Sequence, residues 1–287
     1  MAAVLLGVAA ALFWSMHDVI ARSCAARVGP FRMAALVMLA GAILLAGVVA
    51  WRGTIWVAPR EAVIEGLLLG LAYGLGTGGL FKAFSLGPIS LVGPVTSAYP
   101  VLVVFWGVVH GLEPTATQWL AVAATLAGGI IVARSGTVDG GINAVEPGKL
   151  PVLLFFCVLA ALGYATSIVL GQNAAVTVGE IEATFLSRFT ALITIAPFLT
   201  VEPRTGTMTR NHWLAILGMG LCDVLAVISV NASGHFPGKE FAAVGISMYG
   251  AIAVILATIF LKEKVSPGQW LGIAMIAGGV ATLSLSQ

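Results

Sequence analysis

Charge is scarce in this chain of 287 residues: fourteen Lys and Arg with twelve Asp and Glu make up 9% of it, where a typical soluble domain carries about 25%. So few ionic groups cannot cover a water-soluble surface of this size, so the composition is that of a membrane protein whose main partner is the lipid bilayer. No basic run accompanies the net charge of +2, which argues against nucleic acid as a partner. Cysteine is nearly missing as well. Cys24, Cys157 and Cys222 stand apart without CxxC spacing, so they read as small packing residues, not as a disulfide or metal framework. His17, His110, His212 and His235 match no HExxH pattern, and no GxSxG elbow occurs. With no nucleophile beside a base, the expectation is a protein that is not an enzyme and that uses no cofactor and no metal. GLGTGG at 74–79 has the composition of a phosphate loop but lies inside an apolar segment, where close helix packing accounts for it. The ring of like charges or carbonyl filter of a channel is also missing.

What is abundant is apolar sequence, 59% of residues. A bilayer span needs about 20 predominantly apolar residues. Ten such windows occur, at 3–21, 33–51, 63–84, 89–110, 117–134, 151–171, 182–200, 213–232, 241–261 and 268–285. The first starts without a basic n-region and has no cleavage signal after it, so it is expected to remain as helix one. The longest polar joint, SGTVDGGINAVEPGK at 135–149, falls near the midpoint. It separates a first five-helix repeat (1–134) from a second (150–287).

Sliding the sequence by 150 positions tests that division. Leu12, Val19, Val28, Gly29 and Leu36 fall on Leu162, Val169, Val178, Gly179 and Leu186. Gly70, Ser97, Tyr99, Glu113, Gly128 and Gly129 fall on Gly220, Ser247, Tyr249, Glu263, Gly278 and Gly279, and Trp14 meets Tyr164. The register slips by one residue only around Gln118-Trp119 and Gln269-Trp270. Five is odd, so two fused copies must lie in opposite orientations, related by a pseudo-two-fold axis in the membrane plane. The fold class expected is therefore an all-α integral membrane protein of ten transmembrane helices in two inverted repeats, the plan of many secondary transporters.

The stretches GPISLVGPVTSAYPVLVVFWGVVHGLEPTATQWLAVAATLAGGIIVA and EFAAVGISMYGAIAVILATIFLKEKVSPGQWLGIAMIAGGVATL resemble the end of each repeat in EamA-like members of the drug/metabolite transporter superfamily. The resemblance covers essentially the whole chain. It implies transport of a small molecule in a bacterial inner membrane, with relatives that move amino acids, sugars, nucleotide conjugates, amines and drugs. Two departures stand out: Met38 takes the place that Arg188 has in the second repeat, and His17-Asp18 occurs where uncharged residues are expected. The resemblance also implies cytoplasmic termini. That orientation puts Arg52, Arg60 and Lys239 inside and most other basic joints outside, against the positive-inside rule, so the expectation kept is that both termini share one side.

Ionisable groups inside spans cost about 2.5–3.5 kcal/mol each on insertion scales, so each is a functional candidate. Arg188 and Asp223 fall at similar depth on antiparallel neighbours. They are either a pair that locks two helices or a substrate anion site and a proton carrier. His17 and Asp18 form a stripe with Trp14 and Ala21, matched on helix six by Tyr164, Ser167, Ile168 and Gly171. His17-Asp18 is read as a proton-coupling pair, with an Asp18–Lys82 ion pair as the structural alternative. Tyr73, Tyr99, Tyr164 and Tyr249 join Trp14 as aromatic cavity walls suited to a substrate ring or cation. Gln172, Asn173 and Asn231 are read as hydrogen-bonding groups near helix ends, and Glu113 and Glu263 as caps. Pro94 and Pro100 are expected to kink helix four. The expected activity is secondary transport of an amino acid or organic amine by alternating access, with the proton as a candidate coupling ion, in a monomer or homodimer. The alternatives are a proton-coupled exporter of lipophilic cations and, more remotely, an intramembrane enzyme.

Overall fold

The computed structural model describes residues 1–22, 28–86, 92, 95–96, 99–135, 148–200, 207–261 and 265–286. Cys24, Ser97, Pro94, Glu263 and most of the 135–149 joint lie outside the described residues. The helices are α1 (Ala2–Arg22), α2 (Pro30–Arg52), α3 (Arg60–Leu86), α4 (Tyr99–Val109), α5 (Ala116–Ser135), α6 (Leu150–Val178), α7 (Glu180–Ile195) and α8 (Arg210–Ala232). α9 comes in two pieces, Ala242–Ile246 and Met248–Leu261, and α10 is Pro267–Leu285. Among the described residues eight segments are long and apolar enough to cross a membrane, and Tyr99–Val109 and Ala116–Val132 are shorter apolar helices. Helix is the expected solution here, because lipid offers no partner to an open backbone N–H or C=O.

The helices carry large apolar side chains outward. Leu5, Ile43, Phe105, Leu120, Phe155, Ile193, Ile259 and Leu271 are all exposed, and a surface of that kind belongs in lipid. Trp51 and Trp56, exposed where α2 ends, suit the aromatic belt at a membrane boundary. The chain is an integral, multi-pass membrane protein.

The boundaries follow local chemistry. α2 and α7 both begin after a glycine with φ of 82° (Gly29) or 92° (Gly179) and ψ near 150°, a region essentially closed to residues with a Cβ. Gly179 also ends α6, which runs to Val178 and not to 171, because nothing before that glycine breaks it. Gln172 and Asn173 therefore sit inside the helix. α5 and α10 start on matching capping boxes: Thr115 with Gln118, and Ser266 with Gln269. The cap of α5 is thus Thr115, and Glu113, expected in that role, is exposed outside it. A Thr or Ser hydroxyl three residues before a Gln amide satisfies two orphan helix donors at once, which an acid further upstream does not.

α1 packs on α8 and α9, α3 on α6 and α7, α2 on α7 and α8, and α5 on α10. Glycines set the close approaches. A Cβ on Gly70 would overlap the Ser187 carbonyl and Thr190 of α7, and one on Gly220 would meet Ala40 and the Val37 carbonyl of α2. GLGTGG is helical, with Gly76 against Tyr164 and Gly78 against Phe198. It is a packing face.

Candidate functional site

Arg188 and Asp223 are brought together in the middle of the bundle by the approach of α7 to α8. Arg188 Nη1 lies 2.8 Å from Asp223 Oδ2, and the two residues are 0% and 4% exposed. Asp223 Oδ1 accepts from the Tyr73 hydroxyl of α3 at 2.8 Å and from Trp14 Nε1 of α1 at 3.0 Å. Four helices thus converge on one carboxylate. The Arg188 guanidinium also stands over the Tyr73 ring, 5.7 Å from its centroid. None of its three nitrogens has an aligned hydrogen-bond partner. The 2.8 Å approach to Asp223 is a charge contact off the N–H direction, so the guanidinium is electrically compensated yet leaves donors open.

Gly41 of α2 makes room for this arginine, since a Cβ there would come within 3.4 Å of Arg188 Nε. Met38 packs with Ala191, Ile195 and Tyr73, so the first-repeat counterpart of Arg188 serves as apolar lining. Tyr164 stands edge-on to Tyr73 and to Tyr99, with centroids 6.0 and 6.1 Å apart.

A second network lies one helical turn along α1. His17 Nδ1 is 2.8 Å from Asp18 Oδ1, and the Tyr249 hydroxyl of α9 donates to Asp18 Oδ2. The Asp18 side chain is 46% exposed. Lys82 is not its partner: among the described residues Asp18 pairs within α1 and with α9 instead. Ser15, which the sequence does not single out, lies 3.1 Å from the Tyr249 carbonyl and couples α1 to the start of the longer piece of α9. The stripe expected on α6 is only partly available. Tyr164 faces the site, but Ser167 bonds back to the Tyr164 carbonyl, Ile168 is buried, and Gly171 packs on Asn231.

The remaining polar candidates form structural joints. Gln172 Nε2 donates to Ser233 Oγ and the Lys239 carbonyl, each at 2.8 Å; Lys239 Nζ donates to Asn173 at 2.7 Å, and Asn231 to Thr184 at 3.0 Å. Glu182, unremarked in the sequence, is fully buried, 3.2 Å from Arg52 Nε and bonded by Thr54. Its signal was the opposite charge of Arg52, 130 positions away, which no spacing rule connects. Among the described residues no three His, Cys, Asp or Glu converge on a metal geometry.

A family model of the EamA-like transporter family matches residues 1–134 and 152–285. YxxF of Bacillus subtilis (strain 168), described as an uncharacterized transporter, is 26% identical over 208 residues, which is 70% of this chain and 63% of YxxF. The match thus spans somewhat less than two thirds of that protein. YedA of Escherichia coli (strain K12), described as an uncharacterized inner membrane transporter, is 23% identical over 264 residues, 90% of this chain and 82% of YedA. A solved crystal structure superposes with a TM-score of 0.82 at 21% identity, covering 99% of this chain and 96% of that one; at that identity the likeness shows a shared fold.

Proposed function

The chain belongs to the EamA-like transporter family, and from that premise we propose that it carries a small organic metabolite, an amino acid or organic amine, by alternating access through a site between two inverted five-helix repeats. The inverted arrangement is supported by contacts that reproduce themselves when the repeats are exchanged. Gly70 meets Ser187 and Thr190, while Gly220 meets Val37 and Ala40; each set becomes the other on shifting by 150. Gly128 meets Gly272 and Ile276, while Gly279 meets Ala121 and Thr125. These agree at an offset of 151, so the slip at Gln118 and Gln269 persists through α5 and α10. Gly128 therefore corresponds to Gly279, a correction of the Gly278 match. Tyr73 and Asp223 are themselves counterparts, and they touch, as residues flanking a two-fold axis do. Ten spans of alternating direction would leave both termini on one side, and a bacterial inner membrane, named for YedA, is the expected location.

The observation that carries the substrate reading is the Arg188 guanidinium with its donors unpaired beside Asp223 and the rings of Trp14, Tyr73, Tyr99 and Tyr164. Charge of both signs within aromatic walls suits a zwitterion or amine better than a bulky sugar conjugate. The proton-coupled exporter of lipophilic cations is the second reading, favoured by the half-exposed Asp18 network. A thermal-shift screen of purified protein against amino acids, polyamines, quaternary amines, sugars, nucleosides and carboxylates identifies the class, since a ligand preferring the folded state raises Tm through RT ln(1 + [L]/Kd). Flux in liposomes then separates the readings. Loss of transport in Arg188→Gln with folding retained supports a carboxylate-bearing substrate; full activity in that variant with loss in Asp18→Asn supports cation export; activity unchanged in both removes this site from the pathway.

A further inference from the structure

Where α2 ends and α3 and α7 begin, an apolar groove of about 330 Å³ is lined by Ala46, Val49, Ile55, Trp56, Val63 and Phe185. Ala46 and Trp56 are exposed, so the groove lies on the outer surface of the bundle, and the short 3₁₀ turn Thr54–Val57 supplies Ile55 and Trp56. Each of its three helices places a charged residue one turn from a groove residue, on the same face and toward the helix end. Arg52 comes three positions after Val49 on α2, Arg60 three before Val63 on α3, and Glu182 three before Phe185 on α7. The groove is thus an apolar slot with a charged rim, and the rim lies where the exposed Trp51 and Trp56 mark the membrane boundary.

The rim charges do not cancel. Glu182 is fully buried, with its Oε1 3.2 Å from Arg52 Nε and bonded by the Thr54 hydroxyl. The Arg52 side chain is still 36% exposed, so its outer nitrogens remain open beside the groove. Arg60 is exposed and has no ion pair among the described residues. Glu61 and Glu65 stand two positions before and after Val63, on the far side of α3 from the groove, and Glu180 lies 3.7 Å from His235. What is left at the rim is one net positive charge with guanidinium donors.

We propose that this groove binds one anionic phospholipid from the leaflet on this side, with an acyl chain along Ala46, Val49, Val63 and Phe185 and the phosphodiester between Arg52 and Arg60. A membrane lipid is the ligand that presents a chain at the depth of the groove and a phosphate at the depth of its rim. The planar fork of arginine matches phosphate oxygens, and basic pockets between membrane helices near a bilayer surface take anionic head groups. A zwitterionic head group would bring an ammonium to a rim that offers it no exposed acid on the groove face. A second copy of the chain would have to bury the Arg60 charge against its own apolar surface, at a desolvation cost. The bound lipid touches α2, α3 and α7 together, so it braces segments that are far apart in the sequence.

The test titrates the delipidated full-length protein in detergent with dioleoyl phosphatidylglycerol or dioleoyl phosphatidylcholine, read by native mass spectrometry and by Tm. One phosphatidylglycerol is expected to bind about fivefold more tightly than phosphatidylcholine, the effect of one net cationic group near a membrane surface. It is also expected to raise Tm, since it binds the folded chain. Arg60→Gln is expected to remove most of that preference and Arg60→Lys to keep it. Ala46→Phe, which fills the exposed groove without entering the core, is expected to weaken the binding of both lipids. Arg210→Gln, at the opposite end of the bundle, is expected to bind like its parent. Equal binding of the two lipids, or an unchanged preference in Arg60→Gln, overturns the head-group site, and unchanged affinity in Ala46→Phe overturns the groove. A preference lost equally in Arg210→Gln reduces the effect to diffuse attraction and overturns the proposal. So does a dimer that Ala46→Phe dissolves, which gives the groove to a second copy of the chain.

Discussion

At the scale of residues, the Arg188–Asp223 pair is an expense that a packing role alone does not justify. Removing one member of a buried pair leaves an uncompensated charge and costs about 3–5 kcal/mol, whereas replacing both with apolar groups is often neutral. Arg188→Met alone is therefore expected to lower the unfolding midpoint in detergent strongly, and Arg188→Met with Asp223→Leu to recover most of it while remaining inactive. Recovery of transport in the double variant would make the pair purely structural. The sequence made this pair visible because two charges in apolar windows stand out, and counting from a short loop set them at one depth. It could not reveal that Tyr73 and Trp14 close on the same carboxylate, since a hydroxyl or an indole in a membrane helix carries no mark of its partner. The Asp18–Lys82 alternative failed for a related reason: depth along a helix was legible, but the azimuth that turns Asp18 toward α9 was not.

At the scale of elements, small residues decide how closely the helices approach. Gly279→Ala would put a methyl group 2.7 Å from the Ala121 carbonyl, whereas Gly278 faces open space. Gly279→Ala is expected to destabilise by about 1–3 kcal/mol through overpacking. Gly278→Ala is expected to be neutral or stabilising by up to about 1 kcal/mol, because Ala favours helix over Gly. Thermal unfolding of the two single variants checks both; equal effects would undo the register of α5 against α10. The Gly-Gly pairs and the slip at Gln118 and Gln269 were plain in the sequence, but which member of each pair faces the partner helix depends on that slip persisting through α5 and α10, which the contacts reveal. Helix ends were legible where a breaker stood. α6 outran its expected end by a turn and more because the expected window followed hydropathy, whereas the helix continues until Gly179 supplies a backbone conformation that other residues avoid.

At the scale of the whole molecule, composition and window length made the membrane class readable, and the odd number of windows per half gave the expectation of inversion. Tags fused at the N- and C-termini are expected to be reachable by protease from the same side of sealed vesicles; cleavage from opposite sides would require an odd number of spans. The contact between Tyr73 and Asp223 carries a further consequence for such a two-fold plan. If two separate identical five-helix chains met at this axis, one residue would have to face its own copy. Two carboxylates would repel one another, and two tyrosines would leave Arg188 without a counter-ion. Joining the halves into one polypeptide frees the facing positions to differ, so a hydroxyl can meet a carboxylate and an arginine can stand on one flank alone. The directional chemistry at the centre of this protein is thus available to a fused gene and closed to a homodimeric ancestor.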